Sequence, residues 1–169
     1  MKRSGGGTIR LDRLDLKILA TLQSTGRISN LELADTVGLS ATPCMQRVRR
    51  MEAAGYISGY GARLEIDRIC RNVVVFTEIT LRNHRREDFL KFERGIQAIP
   101  QLLDCFLVTG GYDYLAQFIA RDIHDYQTTV EGLLDRDLGV EKYFSYVTIK
   151  RVKRSTGYPL TDLVAEPAA

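Results

Sequence analysis

Apolar residues recur at three- and four-residue intervals through the first sixty positions and then alternate from Arg71 onward, so the chain divides into a helical part and a sheet-forming part. Leu11, Leu14, Ile18, Leu19 and Leu22 predict a first helix, capped by Asp12 and ended by Gly26. Ser29-Asn30-Leu31-Glu32 is a capping box, in which the Ser and Glu side chains satisfy free backbone donors, and it opens a second helix through Leu33, Ala34 and Val37. Gly38 stops that helix after about two turns. Ser40 is placed to cap a third helix to about Ala54, with Pro43 tolerated in its first turn and Gly55 suited to the left-handed conformation at its end.

A short helix, a glycine turn and a longer helix form the helix-turn-helix signature, whose second helix enters the DNA major groove. Cys44, Val48 and Met51 make the inward stripe of that helix. Ser40 and Thr42 at its start, with Gln46, Arg49 and Arg50 on the outward side and Pro43 and Arg47 on the flank, are the candidate DNA contacts. Arg forks onto guanine or phosphate, Gln pairs with adenine, and Thr reaches a phosphate or base edge. The competing reading of Arg47-Val-Arg-Arg50 is a solvated helix face. Residues 56–64 hold two β-type runs around Gly59, the pattern of a small wing. Arg63 there reads as a phosphate contact or an exposed edge-strand Arg.

In the second part, Val73–Leu81 predicts a strand, and Phe89, Phe92, Ile96 and Ile99 a helix from about Glu87 ended by Pro100. A strand from Leu102 to Thr109, a tight Gly110-Gly111-Tyr112-Asp113 turn and a returning strand from Tyr114 follow. A helix capped by Asp122 and a last strand across Tyr143–Arg151 complete a βαββαβ order. That order predicts an antiparallel four-stranded sheet with both helices on one face, a ferredoxin-like sandwich, and the fold class is therefore α+β. Val74 with Phe76, Phe106 with Val108, and Tyr143, Ser145 and Val147 place apolar residues on both sheet faces, which predicts a homodimer through the uncovered one.

Composition adds direction to this picture. Of 169 residues 44% are apolar and 27% charged, which excludes fibrous and disordered classes. Residues 1–60 hold 9 Lys/Arg against 5 Asp/Glu and residues 61–169 hold 15 against 16, so the formal +3 conceals a basic N-terminal part at +4 and a slightly acidic remainder at −1. Two pieces of under about 100 residues bury modest cores, a second reason to expect association. Cys44, Cys70 and Cys105 are odd in number and widely spaced, hence read as reduced, mostly buried thiols. With no apolar run of membrane-spanning length and no secretory pattern behind Met1-Lys2-Arg3, the expected location is the cytoplasm. No phosphate loop, nucleophile elbow or zinc-protease motif is present, and His84 and His124 read as isolated surface residues, so neither enzyme nor cofactor chemistry is expected.

The residues that carry these features resemble the Lrp/AsnC, or feast/famine, family of transcriptional regulators from Leu11 to Leu160. The resemblance rests on Leu11-Asp-Arg-Leu-Asp15-Leu-Lys-Ile-Leu19, Gly26-Arg-Ile-Ser-Asn30, Val37-Gly-Leu-Ser40, Thr42-Pro-Cys44, Arg47-Val-Arg-Arg50, Glu52-Ala-Ala-Gly55, Ile57-Ser-Gly-Tyr60, Val108-Thr-Gly110, Tyr112-Asp-Tyr114 and Val152-Lys153. It implies an N-terminal winged helix-turn-helix domain, a ligand-sensing ferredoxin-like domain, dimers that join into octamers, and an amino acid or related metabolite as effector between subunits. By position it implies Thr109, Gly110, Gly111, Tyr112, Asp113 and Tyr146 as effector-binding residues. Glycine amides and the Thr109 hydroxyl suit a carboxylate, and Asp113 suits an ammonium, although a plain hairpin also explains Gly-Gly. Gly111 stands where family members commonly carry an acid, and Leu138-Gly139 replaces the usual Pro-Gly.

The expected organisation is a flexible leader over 1–10, the winged helix-turn-helix domain over 11–64, a linker over 65–72, the ferredoxin-like sensing and oligomerisation domain over 73–156 and a tail over 157–169. The expected function is sequence-specific binding of double-stranded DNA at a pseudo-palindromic operator, regulated by an amino-acid effector. The alternative is an amino-acid-sensing module that acts on a protein partner without binding DNA.

Overall fold

The computed structural model describes residues 9–164, so most of the expected leader and the end of the tail lie outside the described residues. The chain forms two compact units, one taking the chain up to Arg63 together with the chain from Lys153 on, the other running Leu64–Val152. Among the described residues no helix is long and apolar enough to cross a membrane.

The first unit holds helices α1 (Arg13–Thr25), α2 (Asn30–Val37) and α3 (Ala41–Ala53). Asp12 and Asp15 form a reciprocal capping box at the start of α1, and Ser29 with Glu32 does the same for α2. Ser40 stands at the N-cap of α3 as expected, but its side chain makes no capping bond. The turn between α2 and α3 depends on Gly38, which adopts φ +80°, a conformation glycine reaches without a Cβ clash. Leu39 then donates its amide to the Ala34 carbonyl at 2.9 Å, and the Asn30 side-chain amide donates to the Ala41 carbonyl at 3.1 Å, so α3 leaves at a set angle. Ile18, Leu33, Ala34, Val37, Cys44 and Met51 form the core of this unit.

The wing expectation needs correction in its detail. Residues 56–64 carry no strand; the Tyr60 hydroxyl instead donates to Glu52 Oε1 at 2.8 Å, so this run is held to the end of α3 by a side chain rather than by a ladder of its own. The C-terminal segment also differs from a free tail. Gln23 donates to the Tyr158 carbonyl at 2.6 Å and accepts the Tyr158 amide at 2.9 Å, while Arg63 donates to the carbonyls of Gln23 and Thr156. A last short helix α7 (Leu160–Leu163) follows.

In the second unit the short helix α4 (Ile66–Ile69) lies within the stretch expected as linker. It is followed by β1 (Val73–Leu81), α5 (Arg86–Ile96), β2 (Leu102–Leu107), β3 (Tyr114–Ala120), α6 (Ile123–Leu134) and β4 (Val140–Val147). The sheet is antiparallel throughout with strand order β2-β3-β1-β4, the split βαβ arrangement. β4 starts and ends earlier than its pattern predicts, and just past its end the amide of Thr148 bonds the Val74 carbonyl of β1.

Val75, Ile79 and Leu81 of β1 face both helices, packing with Phe92 and Ile96 of α5 and Tyr126, Val130 and Leu133 of α6. Burying a large side chain in such a core contributes roughly 1.5–3 kcal/mol. Thr77 shares that side; its hydroxyl, the Tyr126 hydroxyl and the Ser145 hydroxyl form a chain with links of 2.8 and 2.5 Å, so the one polar group on the inner side of β1 is satisfied. Register then places Tyr143, Ser145 and Val147 on the helix side, opposite Ile79, Thr77 and Val75. The uncovered face of β4 is therefore Phe144 and Tyr146, two residues outside those singled out from the strand's pattern. Phe76, Phe106, Phe144 and Tyr146 are all exposed.

Candidate DNA interface and effector turn

Helical spacing on α3 separates the expected DNA contacts into two groups. Thr42, Gln46 and Arg49, four and three residues apart, form one exposed stripe along the helix, and no carboxylate among the described residues pairs with Arg49. Met45 and Glu52 flank that stripe on the side of residues 59–63. Pro43, Arg47 and Arg50 flank it on the other side, toward α1.

Arg47, expected on the flank, and Arg50, expected on the outward side, are both engaged with α1, although Arg50 stays exposed. Arg47 Nη1 donates to Asp12 Oδ2 at 2.6 Å and to Asp15 Oδ1 at 2.8 Å, and Arg50 Nη2 donates to Asp15 Oδ2 at 2.6 Å. Asp15 is wholly buried, so the two guanidiniums, one turn apart on α3, compensate a carboxylate withdrawn from water. Burial works to raise the pKa of Asp12, but the Asp15 amide and the Arg47 guanidinium outweigh it and hold Asp12 below the usual carboxylate range. Both carboxylates in turn raise Arg47. Asp15 was missed by the sequence reading, although an acid between Leu14 and Ile18 on the inward stripe was its signal.

In the second unit the turn after β2 is closed by the Val108 amide on the Asp113 carbonyl at 2.9 Å. Gly110 takes φ +136° there, a value open to glycine and strained for other residues. Thr109, Gly110 and Gly111 are exposed, and Tyr112 and Asp113 half-buried. Asp113 is not the free acceptor the sequence implies. Its Oδ2 accepts the Leu81 amide at 2.7 Å, and the ring of His84 lies 3.0 and 3.1 Å from its two oxygens, so the carboxylate pins the turn to the end of β1. His84 is thereby corrected from an isolated surface residue to a partner of the turn.

Tyr146 lies opposite Phe76 on the uncovered face, two residues along β1 from Glu78. Burial, the Glu78 carboxylate and Tyr112 raise its pKa above the ordinary phenol value. Glu78, a carboxylate set among the apolar residues of β1, is thereby added to the residues that act electrostatically on Tyr146.

Two family models match in the order of the two units: winged helix-turn-helix DNA-binding over residues 11–58 and the Lrp/AsnC ligand-binding domain over residues 74–158. The chain is 44% identical over 156 residues to the transcriptional regulatory protein DoeX of Halomonas elongata, covering 92% of this chain and 99% of that one. It is 41% identical over 145 residues to the leucine-responsive regulatory protein of Escherichia coli, covering 86% and 88%. Among solved structures it is similar to a transcriptional regulator of Neisseria meningitidis in complex with L-methionine, with TM-score 0.84 and 32% identity over 92% of this chain and all of that one. An AsnC-family regulator from Agrobacterium tumefaciens gives the same TM-score at 29% identity, covering 91% of this chain and 100% of that one. With a helix-turn-helix unit and a sensing sandwich in this order along one chain, the protein belongs to the Lrp/AsnC family of transcriptional regulators.

Proposed function

We propose that this regulator reads a pseudo-palindromic operator in double-stranded DNA with Thr42, Gln46 and Arg49, works in the cytoplasm as a homodimer assembling to an octamer, and changes its assembly or DNA affinity with an amino-acid effector. The observation that carries the reading is the α3 stripe, exposed along its length and bordered by side chains already bound to α1 or to residues 59–63. A stripe of one short hydroxyl, one amide and one guanidinium matches the hydrogen-bonding edges of the major groove. The Ser40 hydroxyl, which caps nothing, and Pro43 sit at the phosphate-facing start of the same helix.

Dimerisation is supported by the exposed Phe76, Phe106, Phe144 and Tyr146 on one sheet face. Two palindromic half-sites need two such readers related by a two-fold axis. The effector site is assigned to Thr109, Gly110, Gly111, Tyr112, Asp113 and Tyr146, with Glu78 as a further acceptor. That one relative is named for leucine and one solved structure contains L-methionine supports an apolar amino acid as the ligand. Such a ligand acts only if it binds two assembly states unequally.

The test is selection of genomic fragments by the purified chain, followed by binding measurements with each amino acid. Salt-sensitive binding to selected fragments, shifted by at least one amino acid, is the expected result. Failure to retain any duplex DNA would favour the protein-partner module.

A further inference from the structure

We infer that Asp15 is a positioning residue for DNA reading: buried in α1, it clamps Arg47 and Arg50 of α3 and so sets the angle at which the Thr42-Gln46-Arg49 stripe meets the groove. The inference rests on the proposed reading of that stripe. A buried carboxylate tolerates loss of a cationic partner poorly, so moving α3 away from α1 at this point is costly. Every oxygen of Asp15 is engaged: Oδ1 takes Arg47, and Oδ2 takes Arg50 and the Asp12 amide at 3.0 Å. The bonds converge from three directions, and both arginines enter from the flank at 43, 47 and 50 rather than from the reading stripe. The clamp therefore does two things. It fixes one helix against the other, and it withdraws two cations from the phosphate backbone, leaving Arg49 as the exposed cation of the stripe.

Withdrawal of cations has a readable consequence, because each phosphate contact adds about 0.9 to the slope of log affinity against log salt. The experiment compares the full-length parent with Asp15→Asn, Arg50→Gln and Arg49→Ala on a duplex selected by the parent from genomic DNA and on a random-sequence duplex of equal length, over a salt series. In Asp15→Asn the released Arg50, with Arg47 still held by Asp12, is expected to steepen the salt slope on random duplex by about 1, while preference for the selected duplex falls by about tenfold. In Arg50→Gln preference is expected to fall with the slope unchanged. A parental slope and preference in Asp15→Asn, or an equal loss of affinity for both duplexes with no change of slope, would overturn the inference, since a merely structural role predicts the latter. A drop of about 1 in the Arg50→Gln slope would also overturn it, by showing that Arg50 contacts phosphate. If Asp15→Asn loses its helical circular-dichroism signal, Arg50→Gln decides alone. Arg49→Ala reports separately on the stripe: parental preference in that variant removes the stripe reading itself, whatever the clamp variants do.

Discussion

Arg47 reaches from the middle of α3 to Asp15 of α1, 2.8 Å from Nη1 to Oδ1, and the receiving carboxylate has no exposure to solvent. A cation expected at the DNA surface is thereby part of the scaffold that presents that surface. Arg47→Met should lower the stability of the helix-turn-helix unit by about 2 kcal/mol, the range for removing a hydrogen bond to a buried charged group. Native-state hydrogen exchange would register this as faster exchange of α1 and α3 amides, with the sheet amides unchanged.

Arg49 behaves oppositely. Arg49→Ala should leave thermal stability within about 0.5 kcal/mol, as exposed substitutions do, yet weaken binding to a selected operator by about 1–3 kcal/mol. Fluorescence anisotropy on labelled duplex measures the second quantity and a melting scan the first.

Asp113→Ala removes the acceptor of the Leu81 amide, and an unmet buried donor costs about 1–3 kcal/mol. Asp113→Asn keeps an oxygen for that amide while removing the charge facing His84. The expected pattern is a lowered Tm and a lost effector response in the alanine variant, with near-parental Tm in the asparagine variant. A full effector response in Asp113→Ala would take the turn out of the effector site.

Phe144 is exposed on the uncovered sheet face, directly across from Glu78. Phe144→Asp places a second negative charge beside that carboxylate and removes an apolar anchor. Sedimentation equilibrium should show the dimer weakened by about 2 kcal/mol or more, the scale of a central interface residue. An unchanged dimer would assign the interface elsewhere.

Arg121 offers both its amide and its guanidinium to Asp125 in the first turn of α6, at 2.9 and 2.8 Å. The guanidinium bond first, and the amide second, hold Asp125 down at about 2. Because the folded pKa lies below the ordinary 3.8, the contribution of this pair is complete above that value and disappears as pH falls through about 2. Carboxyl NMR titration should find that midpoint, and Arg121→Gln should move it upward.

Local chemistry was enough to read most of the framework. Asp12, Ser29 and Glu32 announce helix starts through bonds made within three residues, and Gly38 announces a stop through its own backbone freedom. Alternation over Val73–Leu81 states a strand and its two faces from spacing alone. These signals are short-range, so they survive in the order of residues, and with the family motifs they gave the fold and the regulator class.

What spacing cannot hold is which of several possible partners a side chain meets. Arg47, Arg49 and Arg50 are chemically alike and nearly adjacent in sequence, and only the approach of α1, more than thirty residues earlier, pairs two of them with Asp15. In the same way the ladder with β1, not the pattern of β4, decided that Phe144 and Tyr146 face outward, and the Leu81 amide decided that Asp113 is a pin. The sequence by itself determined the main helices and strands, their order and the two-part design, because those follow from each segment's own periodicity and caps. Tertiary structure decided which charges are free to act, because pairing between remote residues depends on distance in space, where a buried carboxylate takes the nearest cations.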